Sequence, residues 1–407
     1  MHDDTTHAVT RRRLLQWSGT AGVLAVSVAV LDACAPAQPA VSTSTTTTST
    51  STTTTTTLPL SLDANGLLLK PGFSSRIIAR ATEEVATTGH TYRWYPDGAA
   101  TFPDTAVPGG WYLNVNHETS PGGVTSIRFA PDGSIVGATS ACDGTTYNCA
   151  GGATPWGTWL SCEEYASGRV WECDPAGATP AVPRDAMGRF AHEAAAVAAD
   201  GRVYLTEDQW SGGFYRFTPD VPEDLSSGTL EIATGDGQVG AVTWVQVPDP
   251  AAATTATRLQ VASTIGYHGG EGIDTSGNDV WFTTKYDKRV WHYRIDTQTM
   301  DLRYQGGSGV LDGLDNLYVD EASQVLFIAE DDGNQELVII RPDNGVDAVV
   351  RVPDQPDSEI TGPCFSPDGT RLYFSSQRAP VGPAGAPVGI TFEVTGPWDT
   401  YLNRSGS

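Results

Sequence analysis

The segment Cys149–Glu164 (CAGGATPWGTWLSCEE) carries a thiol at one end and two adjacent carboxylates at the other. Cys149 and Glu163 are 14 residues apart, and the same 14 residues separate Glu193 from Glu207 and Asn316 from Glu330. The spacing defines six pairs: Asp104 with Glu118, Cys149 with Glu163, Glu193 with Glu207, Glu271 with Lys285, Asn316 with Glu330, and Gly362 with Ser376. In the first five pairs every position but Lys285 offers an oxygen or sulfur donor. Carboxylates that converge repel one another unless protons or cations neutralise them. Repeated donors of this kind are expected to hold metal ions. Oxygen ligands suit a hard cation such as Ca²⁺, and a thiolate at Cys149 selects a softer ion such as iron or zinc. The expected metal ligands are therefore Asp104, Glu118, Cys149, Glu163, Glu193, Glu207, Glu271, Asn316 and Glu330. Glu164, Asp208 and Asp331 each follow one of them. His117, His192 and His268 lie beside this set and read as hydrogen-bonding structural residues.

What could bring these pairs together is a repeat. From about Leu67 the chain consists of short runs rich in Val, Ile, Tyr, Phe and Trp, bounded by Pro-Asp-Gly and Gly-rich turns. This is the signature of many short antiparallel strands. One apolar strand recurs as Trp111-Tyr112-Leu113, Thr158-Trp159-Leu160, Val203-Tyr204-Leu205, Val280-Trp281-Phe282, Leu326-Phe327-Ile328 and Leu372-Tyr373-Phe374. The recurrences are about 45 residues apart, the length of a four-stranded propeller blade. One longer step, from Leu205 to Phe282, contains an extra segment around 220–262. The expected fold is all-β: a six-bladed β-propeller over 67–407 with a central metal-binding site. In a blade the innermost strand lines the axis and its neighbour runs antiparallel. The start of the first and the end of the second then share one face, and about 14 residues span strand, turn and strand.

The chain has 407 residues and a net charge of −24. That charge argues against nucleic acid and anionic membrane surfaces as partners. Thr10-Arg11-Arg12-Arg13-Leu14-Leu15, followed by the apolar run from Ala21 to Leu31, reads as a twin-arginine export signal. Leu31-Asp32-Ala33-Cys34 resembles a lipobox, so 1–34 is expected to be a signal peptide and Cys34 a lipid anchor. The Ser/Thr-rich stretch within 35–66 reads as a flexible linker. The protein is expected to be a monomer in the cell envelope, tethered to the outer face of the cytoplasmic membrane. The propeller region holds Cys142, Cys149, Cys162, Cys173 and Cys364. In an exported protein this odd number leaves one thiol unpaired. Cys162 with Cys173 is expected as a cross-strand disulfide, and Cys142 as the partner of Cys364 or of Cys149. The expected free thiol is Cys149, because it occupies the repeat position held elsewhere by Glu193 and Glu271.

Asn116-His117-Glu118, the Cys149–Glu164 segment, Gly188-Arg189-Phe190-Ala191-His192-Glu193, Tyr204-Leu205-Thr206-Glu207-Asp208 and Glu271-Gly272-Ile273 resemble the PhoX family of secreted alkaline phosphatases. The resemblance runs from about residue 70 to 380. It implies a six-bladed propeller, export by the twin-arginine route, and a cluster of iron (Fe³⁺) and calcium (Ca²⁺) ions that hydrolyses phosphate monoesters and related esters. It implies Cys149 as an iron ligand and Glu118, Glu193, Glu207 and Glu271 as acidic ligands. The sequence departs from the family at Gly269, where an arginine is expected two residues before Glu271. Lys285 is then the expected stabiliser of transition-state charge and the candidate catalytic residue, although an ammonium does not replace a guanidinium fork. The expected partner is a small-molecule phosphate ester. The alternative is a non-catalytic calcium-binding envelope propeller, or a lactonase-like hydrolase on the same architecture.

Overall fold

The computed structural model describes residues 59–307, 310–331, 333–380, 386 and 388–404. The arginine-rich N-terminus, Cys34 and the Ser/Thr-rich tract at 41–57 lie outside the described residues. Six antiparallel sheets of four to six strands make up the fold. The inner strands are Pro96–Pro103, Asn148–Ala153, His192–Val197, Gly270–Ser276, Leu314–Asp320 and Ile360–Phe365. Each packs against the next, and the sixth returns to the first, so the sheets form a closed ring. The second strands are Trp111–His117, Trp159–Glu163, Val203–Glu207, Asp279–Thr284, Val325–Glu330 and Arg371–Ser376. The protein is a six-bladed, all-β propeller.

Burial explains why these runs are strands. A blade is covered on both faces by its neighbours, so its inner strands read as continuous apolar runs without alternation. Val325–Glu330 (VLFIAE) is buried at every position. Outer strands reach solvent: in Thr299–Gln305, Leu302 is exposed. Aspartates close several hairpins by accepting backbone N–H bonds. Asp132 accepts from Ser134 N at 2.9 Å, with Gly133 at φ +85°. Asp368 accepts from Thr370 N at 3.0 Å, with Gly369 at φ +70°.

The N-terminal part of the domain closes the ring. Ser74–Arg80 is the outermost strand of the sixth blade, paired with Ile390–Thr395. Leu68–Leu69 and Ser61–Leu62 extend the fifth blade. Sheet pairing therefore starts inside the stretch 35–66 read as linker, ahead of the boundary at 67. The extra segment around 220–262 also belongs to the sheets. Asp224–Thr234 and Thr243–Gln246 are the fourth and fifth strands of the third blade, and Gly240–Ala241 pairs at the outer edge of the fourth.

Candidate metal centre

Each inner strand breaks its ladder near one end. The breaks lie between Pro96 and Ala99, Asn148 and Gly151, His192 and Ala195, Gly270 and Ile273, Leu314 and Leu317, and Thr361 and Cys364. A bulge leaves residues unpaired and re-aims their side chains. In the first five blades the first residue of each break is a donor: Asp97, Cys149, Glu193, Glu271 and Asp315. The residue after it is small in four blades (Gly98, Ala150, Ala194, Gly272), because the neighbouring inner strand is very close. A Cβ at Gly98 would fall 2.5 Å from Ala150 Cα, and one at Gly272 would fall 2.2 Å from the Leu317 nitrogen.

A second set of side chains comes from the residues just past the second strands: Glu118, Glu164, Asp208, Lys285 and Asp331. Glu359 joins them from the start of the sixth blade. Four groups form, each with ligand atoms within 4.8 Å of one another: Cys149, Glu164 and Glu193; Asp97, Glu118 and Glu359; Glu193, Glu271 and Asp315; and Asp315, Asp331 and Glu359. Shared members link the groups into one cluster of a thiol and eight carboxylates. Cys149 Sγ donates to Glu193 Oε1 at 3.0 Å. Gln377 donates to Asp97 and, at 3.0 Å, to Glu118. Two cations enter the cluster. Lys285 Nζ lies 2.9 Å from Asp331, 3.5 Å from Glu271 and 3.8 Å from Asp315. Arg378 lies 2.9 Å from Glu359 and 3.8 Å from Glu118.

Of the residues expected from the 14-residue spacing, Glu118, Cys149, Glu193, Glu271 and Lys285 come together here. Four others point elsewhere, and Asn316 borders the cluster without joining it. Asp104 is at the far end of its strand, where it accepts from Arg128 Nε at 2.7 Å and Ala106 N at 2.9 Å. The first hairpin is longer than the others, so 14 residues back from Glu118 falls short of Asp97 and stops at the opposite end of the inner strand. Glu163 accepts from Thr146 N at 2.9 Å and Arg169 N at 3.1 Å. Glu207 accepts from Gly213 N, Tyr215 Oη (both 2.8 Å) and Arg258 (2.6 Å). Glu330 accepts from Asp312 N at 2.8 Å and Glu336 N at 2.9 Å. These three carboxylates cap loops, while the next residue in each case faces the axis. Asn316 Oδ1 accepts from Gly362 N at 2.7 Å and its amide donates to Asp315, so it clasps two blades beside the cluster.

Asp97, Asp315, Glu359 and Arg378 were missed by the spacing. A usable signal was present: an acid or cysteine followed by Gly or Ala at the start of an inner strand, as in Asp97-Gly98, Cys149-Ala150, Glu193-Ala194 and Glu271-Gly272. Asp315-Asn316 lacks the small residue, and Glu359 and Arg378 stand outside the bulges.

The second strand of one blade holds the bulge of the next. Asn116 Nδ2 donates to the carbonyls of Cys149 (3.0 Å) and Ala150 (2.8 Å), while its oxygen accepts from Trp159 Nε1 and Ser161 Oγ. Thr206 donates to the Glu271 carbonyl at 2.5 Å, and Thr283 donates to that of Asp315. Each of these residues sits one position before the end of its strand.

Burial first, and then neighbouring carboxylates, push Asp97, Glu193 and Cys149 well above their ordinary values. Burial raises Glu271 and Glu359 likewise, partly offset by Lys285 and Arg378 respectively. Asp315 rises to about 6, mainly through burial. Burial alone would lower Lys285, but Asp331, Glu271, Asp315 and Asp208 together hold its ammonium well above the usual range. Burial would raise Asp331, yet Lys285 keeps it below the usual carboxylate range.

All five cysteines of the propeller are free thiols, so the expected disulfides are not formed in this structure. Cys162 faces Val170 and Cys173 faces Trp159, so the two are out of register across their hairpin. The thiol of Cys173 instead adjoins that of Cys142. Cys364 belongs to a different part of the core from Cys142.

Among solved structures, the chain is similar to Pseudomonas fluorescens PhoX in complex with vanadate, a transition state analogue. The identity is 18%, the TM-score 0.70, and the match covers 84% of this chain and 97% of that one. A Bacteroides thetaiotaomicron protein of unknown function matches at 11% identity and a TM-score of 0.50, over 79% of this chain and 76% of that one. These likenesses speak to the fold. No curated protein matches the chain. The family model of alkaline phosphatase PhoX matches residues 121–172 and 166–285, which include Cys149, Glu164, Glu193, Asp208, Glu271 and Lys285. That match lies over the segments that build the cluster, and the propeller is similar to that of PhoX, so the chain resembles the PhoX alkaline phosphatase family over residues 121–285.

Proposed function

We propose that this protein is an exported, metal-dependent phosphatase that hydrolyses phosphate monoesters and related diesters, with iron and calcium held at the propeller axis. The observation that carries the reading is the cluster of eight carboxylates and one thiol in groups spanning 4.8 Å or less. Ionised groups buried at that density are strongly disfavoured unless cations compensate them. Two of the buried oxygens, Asp97 Oδ1 and Glu271 Oε1, accept no hydrogen bond, a condition that calls for an explanation such as an ion. The donor sets fit the two metals. Cys149 with Glu164 and Glu193 suits iron, and the all-oxygen groups suit calcium.

Bound there, the ions would supply Lewis acidity toward the phosphoryl oxygens. The chain's own residues supply positioning and charge. Lys285 and Arg378 both reach solvent, with side chains 23% and 30% exposed, so both can meet an incoming phosphate. The carboxylates around Lys285 keep it charged in alkaline solution. Arg378 offers a planar fork able to grip two phosphate oxygens, and Lys285 a point charge. The vanadate complex of the Pseudomonas fluorescens protein supports phosphoryl transfer as the chemistry. The twin-arginine motif and the lipobox-like Leu31–Cys34 support export and a lipid anchor as part of the same reading.

The test is elemental analysis of the protein purified after native export without chelators, beside an assay on a general phosphomonoester. The expected result is iron together with calcium, iron lost in Cys149→Ala, and hydrolysis by the wild type. Calcium without a transition metal and no hydrolysis would remove the reading and leave a calcium-binding envelope propeller.

A further inference from the structure

Four aromatic side chains are exposed among the described residues: Trp94 (49%), Tyr147 (42%), Trp210 (69%) and Tyr286 (39%). All four lie next to the cluster in the chain. Trp94 is three residues before Asp97, Tyr147 two before Cys149, Trp210 two after Asp208, and Tyr286 directly after Lys285. The other exposed apolar side chains are aliphatic. Exposed aromatics thus stand where the chain enters or leaves the candidate metal centre.

Trp210 and Tyr286 form a platform with His268. The Trp210 ring is 5.4 Å from Tyr286 and 5.5 Å from His268, tilted by 38° and 41°. The backbone holds the three in place. His268 Nδ1–H donates to the Trp210 carbonyl at 2.6 Å. Gly269 N donates to Gln209 O at 2.8 Å, Lys285 N to Gly269 O at 2.8 Å, and Tyr286 N to His268 O at 3.1 Å. Gly269 makes the arrangement possible. Its φ is +71°, and a Cβ there would fall 2.7 Å from the Tyr286 ring and 3.3 Å from Asp208 Oδ1. The absent side chain lets Tyr286 lie against the loop, next to Lys285. Most of the Trp210 surface still faces solvent, at a cost in apolar exposure that a ligand ring would relieve.

We propose that Trp210 and Tyr286 form a stacking subsite for the leaving group of the ester, and that the preferred substrates carry a planar aromatic ring, as aryl and nucleoside phosphates do. The proposal rests on the phosphatase reading for the chemistry. It adds what the metal cluster cannot provide, a contact that distinguishes one ester from another.

The experiment compares phenyl phosphate and adenosine 5′-monophosphate with glycerol 3-phosphate and glucose 6-phosphate, using protein carrying its native metals. In the wild type, kcat/KM is expected to favour the ring-bearing esters. Trp210→Ala and Tyr286→Ala should each lower that preference about tenfold, the scale of one stacked ring, mainly through KM. An unchanged preference in both variants overturns the subsite, as does a wild type that favours glucose 6-phosphate. Adenosine, which carries no phosphate, separates this failure from failure of the phosphatase reading. If the wild type hydrolyses none of the esters, the phosphatase reading falls. Adenosine binding that is weakened in Trp210→Ala then keeps the platform as a ring-binding site, and equal or absent binding removes it.

Discussion

Two sets of carboxylates sit one residue apart on the same strands and have opposite fates. Glu163, Glu207 and Glu330 end the second strands of their blades, and each is used up by loop N–H groups or by Arg258. Glu164, Asp208 and Asp331 follow directly. Glu164 and Asp331 join the metal-type groups, and Asp208 adds to the field around Glu271 and Lys285. Residue type does not separate the sets. Strand parity does, since successive side chains point to opposite sides. One set closes each hairpin end so that its loop cannot fray. The other uses the edge thus fixed to aim charge at the axis.

The comparison breaks most sharply in a pair of glutamine variants. Glu271→Gln should lower metal content and reduce phosphatase activity more than about 100-fold, beyond the loss typical of groups that merely support a ligand. Glu207→Gln should leave the metals bound. It weakens three hydrogen bonds at a buried carboxylate, one of them to a partly exposed arginine, and should cost about 2 kcal/mol of stability. Thermal unfolding and elemental analysis of the two proteins check this. Metal loss in Glu207→Gln with Glu271→Gln unaffected would reverse the assignment.

The same one-residue distinction marks how far the sequence could be read. The blade count was legible because buried second strands must be apolar and recur at the length of a blade, so Leu113, Leu160, Leu205, Phe282, Ile328 and Phe374 show the repeat directly. The position of the site was legible because charge accumulates at one end of these strands. Which residue at that end turns inward was not, because a fixed spacing assumes equal hairpins and a regular ladder. The long first hairpin stops the spacing at Asp104, short of Asp97. The fifth hairpin is one residue longer than the second and third, so the same count lands on Asn316 and misses Asp315. Arg378 was invisible to the pattern because it lies beyond the strand end, in the blade whose 14-residue pair, Gly362 and Ser376, holds no charge.

Lys285 occupies the axial position that acids hold in neighbouring blades, which makes it a test of charge rather than of ligation. Lys285→Ala should lower kcat about 100-fold, on the scale of losing one preorganised charge contact, with metal content unchanged. Unaltered turnover would take the residue out of the reaction. A smaller effect comes from protons. With metals chelated, the folded state holds protons on carboxylates that the unfolded chain releases near pH 4. Burial raises Asp315, in the cluster, to about 6 and Glu330, outside it, to about 8. Raised values stabilise the fold at low pH, and that contribution is lost as pH climbs through them. Stability of the chelated protein should therefore fall between about pH 4 and pH 8, with a slope approaching about 1.4 kcal/mol per pH unit for each proton involved. Asp331, whose value is depressed, loses its contribution only at more acid pH. Metal-loaded protein should be flatter in the lower part of this window, where Asp315 titrates, because cations replace the protons of the cluster, while the contribution of Glu330, outside the cluster, remains. Equal slopes with and without chelator would show that the cluster does not bind them.

The smallest predicted effect lies in the contacts between blades. Thr283 reaches across to the Asp315 carbonyl, as Thr206 does to that of Glu271 and Asn116 to that of Cys149. None of the three touches the cluster through its own donor atom. Each fixes the backbone at a point where the bulge has removed the ladder hydrogen bonds. Thr283→Val keeps the shape and removes only the hydroxyl, so the fold should lose about 1 kcal/mol. A group that positions a ligand in this way should change metal affinity about tenfold. A structural role alone would lower the melting temperature equally with and without metal. A positioning role would make the loss larger in the metal-loaded protein, and Thr283→Ser, which restores the hydroxyl, should recover the difference.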